Sequence, residues 1–194
     1  MEFTFFKTLI TAGLLDGPYP LKEQANYKVF DGRKPIGEYY HTPKESELSF
    51  EGKRIKLKTR GRWPLMPKVT ITDHPYGETV GKIKLSYIHG PGGFGGYPHE
   101  MILENNKYWF KELKPDVRYS LFKRETRGYY KFKCYNEWEE IIYTFKIDFP
   151  PGFSLGNNTP KLPFAGAIDY RCNNLLLLFA GFYLIEAAFD QEGA

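Results

Sequence analysis

Between Gly52 and Trp63 the chain reads GKRIKLKTRGRW, and the chemistry this stretch offers is the holding of negative charge. In an extended strand, successive side chains point to opposite faces. Arg54, Lys56, Lys58 and Arg60 then share one face and Ile55 and Leu57 take the other. Same-face side chains recur about every 7 Å, so four cations form a strip about 20 Å long. Arg62 and Trp63 follow, the indole suited to the level of a membrane–water interface. Lys82 and Lys84 alternate in the same way further along. A phosphate-rich head group or an anionic leaflet matches such a strip, each cation near the surface contributing about 1 kcal/mol. A solvated strand face, charged to discourage edge pairing, has the same pattern. At the level of sequence both readings stand.

Other chemistry is thin. His89-Gly90-Pro91-Gly92-Gly93-Phe94-Gly95-Gly96-Tyr97-Pro98-His99 is glycine-rich, and backbone N–H groups in such loops can cradle phosphate. No Lys-Ser/Thr follows it and no helix is expected there, so it matches neither a P-loop nor a dinucleotide fingerprint. Its two histidines lack the further ligands a metal needs; neither a metal nor a cofactor is expected. Cys134 falls on an apolar strand face and reads as core. Cys172 lies just before an expected helix, whose N-terminus can activate a thiol, although packing is the simpler role. Glu139 and Glu140 are adjacent and would point to opposite faces of a strand. Asp169 and Arg171 read as a tie between a strand end and its neighbours. Glu186, an acid in an apolar helix, needs a partner. No nucleophile, base and orienting group assemble, so no enzymatic activity is expected.

The elements that must position these residues are mostly strands. The chain has 194 residues, with 16 Phe, 15 Tyr and 3 Trp, a bias toward half-buried pleated surfaces. Nineteen Gly and 14 Pro supply turns between them. Strands are expected at 27–30, 36–41, 48–50, 54–60, 69–72, 80–87, 101–104, 108–113, 119–123, 129–135 and 140–148. Asp31-Gly32, Glu51-Gly52, the 73–77 loop and Asn105-Asn106 mark reversals. Tyr130, Phe132 and Cys134 oppose Lys131 and Lys133, and Ile141, Tyr143, Phe145 and Ile147 oppose Thr144, Lys146 and Asp148. Such alternation describes a sheet with one dry and one wet side. A weak echo relates Asp31-Gly32 and Ile36-Gly37-Glu38-Tyr39 to Asp73, Gly77 and Val80-Gly81-Lys82-Ile83. Residues 1–20 read as an N-terminal extension or the first element, helix or strand over 3–15. Residues 149–164 form a long loop.

The end of the chain decides the architecture. From Leu175 to Ile185 no residue is charged, in a protein that is 26% charged. A membrane-spanning helix needs about 20 apolar residues, more than this run supplies. A helix over 174–190, capped by Asn173 or Asn174, is apolar on every face and must be surrounded. With only strands to surround it, the expected fold is a closed antiparallel β-barrel wrapped around a buried hydrophobic C-terminal α-helix, one domain over 1–194. Two cysteines 38 apart, and a start at Met1-Glu2 interrupted by Lys7, fit a cytoplasmic chain without a signal peptide.

Ile168-Asp169-Tyr170-Arg171, then Leu178-Phe179-Ala180-Gly181-Phe182-Tyr183-Leu184-Ile185-Glu186 and Phe189-Asp190, resemble the end of tubby-like domains. The phospholipid scramblases and the plant LURP-one-related proteins share that ending: a strand, an Asp-x-Arg/Lys element, and a hydrophobic helix with small residues. The resemblance implies a barrel of about twelve strands around the helix. It covers roughly the last 25 residues closely and the rest only as a pattern. The cysteine-rich clusters and Pro-rich region of scramblases are missing, and their acidic calcium-binding stretch is represented by Asp169 alone, so calcium-triggered scrambling is not implied. Tubby proteins hold phosphoinositide head groups with barrel-surface Lys and Arg. The expectation is a non-enzymatic, monomeric tubby-like domain, peripheral at an anionic membrane through Arg54, Lys56, Lys58, Arg60, Arg62, Trp63, Lys82 and Lys84. A protein-interaction scaffold is the alternative. Nucleic-acid binding, suggested by the basic strand with Trp63 and the many tyrosines, ranks below both, and the net charge of +4 is compatible with an anionic partner without demanding one.

Overall fold

A computed structural model describes residues 2–11, 23–42, 45–60, 68–85, 98–120, 125–148 and 164–192. The strands are β1 (Glu2–Thr11), β2 (Glu23–Asp31), β3 (Lys34–His41), β4 (Glu45–Phe50), β5 (Lys53–Arg60), β6 (Lys68–His74), β7 (Thr79–Lys84), β8 (His99–Leu103), β9 (Asn106–Ser120), β10 (Glu125–Asn136), β11 (Ile141–Asp148) and β12 (Phe164–Tyr170); the helix α1 (Leu175–Glu192) follows. Each strand pairs antiparallel with its neighbour in sequence, and β1 pairs with both β2 and β12 to close the ring. Closure removes every sheet edge. The first segment is thus a strand and the seam of the barrel.

Inward positions alternate along each strand, and the apolar ones among them converge on α1. Phe3 and Phe5 on β1, Tyr27 and Val29 on β2, Ile55 and Leu57 on β5, and Phe132 and Cys134 on β10 are all buried. From Leu175 through Glu186 the helix is buried on every side. Phe182 packs against Phe5, Tyr27 and Phe145, and Phe179 stacks on Phe50. Among the described residues no helix is long and apolar enough to cross a membrane. The helix start is capped by Asn174, whose Oδ1 accepts from the Leu177 N–H at 3.0 Å. Beneath it the Tyr143 hydroxyl donates to the carbonyls of Cys172 (2.9 Å) and Asn174 (2.7 Å).

The two ends of the barrel differ. At the end where α1 begins, five tight turns join β2–β3, β4–β5, β6–β7, β8–β9 and β10–β11. Glu51 and Gly52, and Glu104 and Asn105, take the positive φ values that such hairpins require. The β8–β9 turn is therefore Glu104-Asn105, one residue earlier than the expected Asn105-Asn106. The Gly37/Gly81 echo is structural as well: each lies on the second strand of a hairpin whose register slips by a bulge. A Cβ on Gly37 would strike the Phe179 ring and the Ser49 carbonyl, and one on Gly81 would strike Leu103.

Two strands expected at 108–113 and 119–123 are one. β9 runs through Pro115 because Lys131 faces Leu113 while Tyr129 faces Asp116, so β9 carries an extra residue there. A bulge is where a sheet tolerates a missing N–H.

Candidate functional site

The outer face of β5 carries the cationic strip. Ile55 and Leu57 point inward, and Arg54 and Lys58 are exposed. Lys56 is half-exposed and bonded to Glu45 across β4 at 2.9 Å. That bond, foremost, raises the Lys56 pKa and lowers that of Glu45. Arg60 ends β5, with its side chain outside the described residues, as are Arg62 and Trp63.

Lys82 and Lys84 join the same surface, because the barrel places β6 and β7 beside β5. Arg60 faces Lys68 on β6, and Lys68 faces Lys84 on β7. One step along, Lys58 faces Thr70 and Thr70 faces Lys82. Two further rows hold Lys56 opposite Thr72 and Arg54 opposite His74. Directly opposed residues in such rows stand about 4.5–5.5 Å apart. Seven cations with threonines between them therefore cover three adjacent strands. Glu45 and Glu47 on β4 bound the face on one side, and Glu100 on β8, bonded to Lys84 at 3.1 Å, bounds it on the other. Arg54, Lys58, Lys68 and Lys82 make no ion pair among the described residues.

Lys68 escaped the sequence reading. The signal was available: pairing 69–72 with the strand after the 73–77 reversal sets Lys68 opposite Lys84. Of the glycine-rich segment, 89–97 lie outside the described residues, as do 149–163 of the long loop. His99 begins β8, and burial drives its pKa down to about 4. Among the described residues no cluster of three or more His, Cys, Asp or Glu is placed to hold a metal.

Buried polar groups gather where α1 ends. Lys7, reaching inward from β1, bonds Glu186 at 2.6 Å, and the Tyr27 hydroxyl donates to the same carboxylate oxygen. The Lys7 ammonium lies 4.9 Å from the centre of the Phe164 ring. Glu186 thus has the partners that its burial demands. Tyr39, His41 and Ser46 are mutually bonded at 2.9–3.1 Å, an imidazole beside a hydroxyl that sequence spacing did not reveal. Ser46 is 2% exposed and faces the interior, so the trio joins β3 to β4 rather than meeting a substrate from solvent. The Cys134 thiol is buried and its pKa pushed up by that burial, which makes it inert. The Cys172 Sγ lies 3.6 Å from the Tyr143 hydroxyl. Asp169 bonds Lys146 of β11 at 2.8 Å, a strand-to-strand tie; Arg171 lies just beyond β12, its N–H held by the Ile142 carbonyl.

Comparison with protein-family models, with curated proteins and with solved structures returned no match to this chain.

Proposed function

We propose that this protein is a non-enzymatic barrel that docks on anionic phospholipid, phosphoinositide head groups included, through the outer face of β5, β6 and β7. The observation that carries the reading is the like-signed register. Arg60, Lys68 and Lys84 lie directly opposite one another across three strands, with Lys58 and Lys82 in the next row. Like charges so placed destabilise a sheet. A multivalent anion turns that cost into binding. The intervening Thr70 adds a hydroxyl donor suited to phosphate oxygens, while the Thr72 hydroxyl donates to the Lys56 carbonyl at 3.4 Å.

Co-sedimentation with vesicles containing or lacking anionic lipid tests the proposal. Lys58, Lys68 and Lys82 together should contribute about 3 kcal/mol at the surface, so Lys58→Ala/Lys68→Ala/Lys82→Ala should bind roughly 100-fold more weakly. Equal sedimentation of this variant and the wild type would overturn the reading. A protein-interaction scaffold is the second reading, favoured by two ring-bearing hairpin tips: Tyr76 is 82% and Trp138 72% exposed. A stoichiometric partner lost in Trp138→Ala, with no dependence on lipid, would select it.

A further inference from the structure

A second cationic surface lies on β9 and β10, and it differs from the first in carrying aromatic rings. Trp109 and Tyr135 are directly opposed across the two strands, and one row further Lys111 directly opposes Lys133. Lys131 follows on β10, then Tyr129. All six side chains are half-buried, and Lys111, Lys131 and Lys133 make no ion pair among the described residues. Lys131 also faces Lys146 on β11, but Asp169 answers that charge. Asp148 on β11 and Asp116 on β9, both opposite Tyr129, bound the strip at that end. A pair of lysines set face to face in a ladder without an acid is unfavourable unless an anion sits between them.

The strip points away from the first face. Twelve strands share the circumference at about 30° each, so β6 and β10, four steps apart, face about 120° from one another. Where the two faces approach, β8 separates them, its Glu100 standing between Lys84 on β7 and Trp109 on β9. The two faces also differ in chemistry: threonines lie among the cations on one, whereas rings flank the cations on the other.

We infer that the outer face of β9 and β10 binds single-stranded nucleic acid, with bases stacked on Trp109 and Tyr135 and the backbone phosphates between Lys111, Lys133 and Lys131. Along β10 the outward side chains run Tyr129, Lys131, Lys133 and Tyr135, about 7 Å apart, so an extended strand lying along it meets phosphate contacts at the centre and a ring at either end. Lys107, whose ammonium stands 5.4 Å from the centre of the Trp109 ring and 3.6 Å from Glu100, swings aside on its flexible stem to admit a base. Neither contact reads a base edge, so binding is tolerant of sequence.

The test is fluorescence anisotropy with labelled oligothymidylate and oligouridylate of about ten nucleotides. Three phosphate contacts predict a log–log salt slope of about −2, falling to about −0.7 in Lys111→Ala/Lys133→Ala. Trp109→Ala should weaken binding by about 5- to 100-fold, and Tyr135→Ala by a similar factor. The double lysine variant relieves a like-charge opposition, so it should melt no lower than the wild type, and its loss of binding is not unfolding. No binding at low salt overturns the inference. So does a Trp109→Ala protein that binds like the wild type, or an equal loss when Lys58, Lys68 and Lys82 are removed instead. A fall in vesicle binding, rather than oligonucleotide binding, in Lys111→Ala/Lys133→Ala also overturns it, leaving the β5–β7 proposal to be judged on its own variant.

Discussion

Neutralising the pair Lys7–Glu186 tests whether the first strand and the central helix are held together by charge. The side chains are 1% and 8% exposed, with 2.6 Å between Nζ and Oε1. Glu186→Gln keeps an oxygen to accept from Tyr27 but removes the charge that answers Lys7. Lys7→Met removes the cation and leaves the carboxylate with the Tyr27 hydroxyl. Breaking a buried pair from one side costs about 3–5 kcal/mol, because a charge stays behind without its counterpart. At about 2–4 °C per kcal/mol for a chain of this size, each single variant should melt about 6–20 °C lower than the wild type. Lys7→Met/Glu186→Gln removes both charges and should recover much of that loss, giving a coupling of at least about 2 kcal/mol in a double-mutant cycle. The assay is urea and thermal denaturation of all four proteins. Additivity of the two single effects to within about 0.5 kcal/mol would refute the reasoning, because two residues that do not interact behave so.

Gly37→Ala should destabilise the barrel by about 1–3 kcal/mol in urea denaturation, because its methyl meets the fixed Ser49 carbonyl as well as the Phe179 ring. Pairing it with Phe179→Leu should recover the part due to the ring. His99 gives stability a pH dependence. Its folded pKa of about 4 lies below the unfolded value of about 6.5, so the unfolded chain takes up the proton first. The stability that the neutral ring confers is whole above about pH 6.5 and is lost as pH falls toward 4, on the order of 2 kcal/mol for a half-buried group. His99→Gln should flatten the denaturation midpoint between pH 7 and pH 5; an unchanged slope would place the dependence elsewhere.

Much of this fold can be read from local pattern. Alternation in Lys53–Arg60 and in 130–134 names the inward residues correctly because each strand faces water on one side only, and in Ile141–Asp148 it names Tyr143, Phe145 and Ile147, although Ile141 is half-buried and Thr144, expected on the wet side, is buried. The uncharged run from Leu175 could be nothing but surrounded, and it is. Local pattern failed where tertiary context compensates a residue. Pro115 looks like a strand terminator until the register against β10 shows a bulge in β9 that accommodates it. Glu104 occupies a turn position that composition assigns to Asn, since the closing ladder outweighs the modest strain of a positive φ. The candidate faces were half legible. Arg54, Lys56, Lys58 and Arg60 share a strand, so spacing alone groups them. Their union with Lys68, Lys82 and Lys84, and the opposition of Lys111 to Lys133, depend on registers between strands, which a single strand's sequence does not carry.

The helix that fills the barrel comes after every strand in the chain, and β1 waits for β12 to complete its pairing. A nascent chain emerging from the ribosome therefore presents twelve greasy-sided strands before their common filling exists. Native closure cannot begin at the front and proceed to the back. It must await the arrival of the final segment, and until then the growing polypeptide depends on chaperones or on speed to avoid sticking to its neighbours.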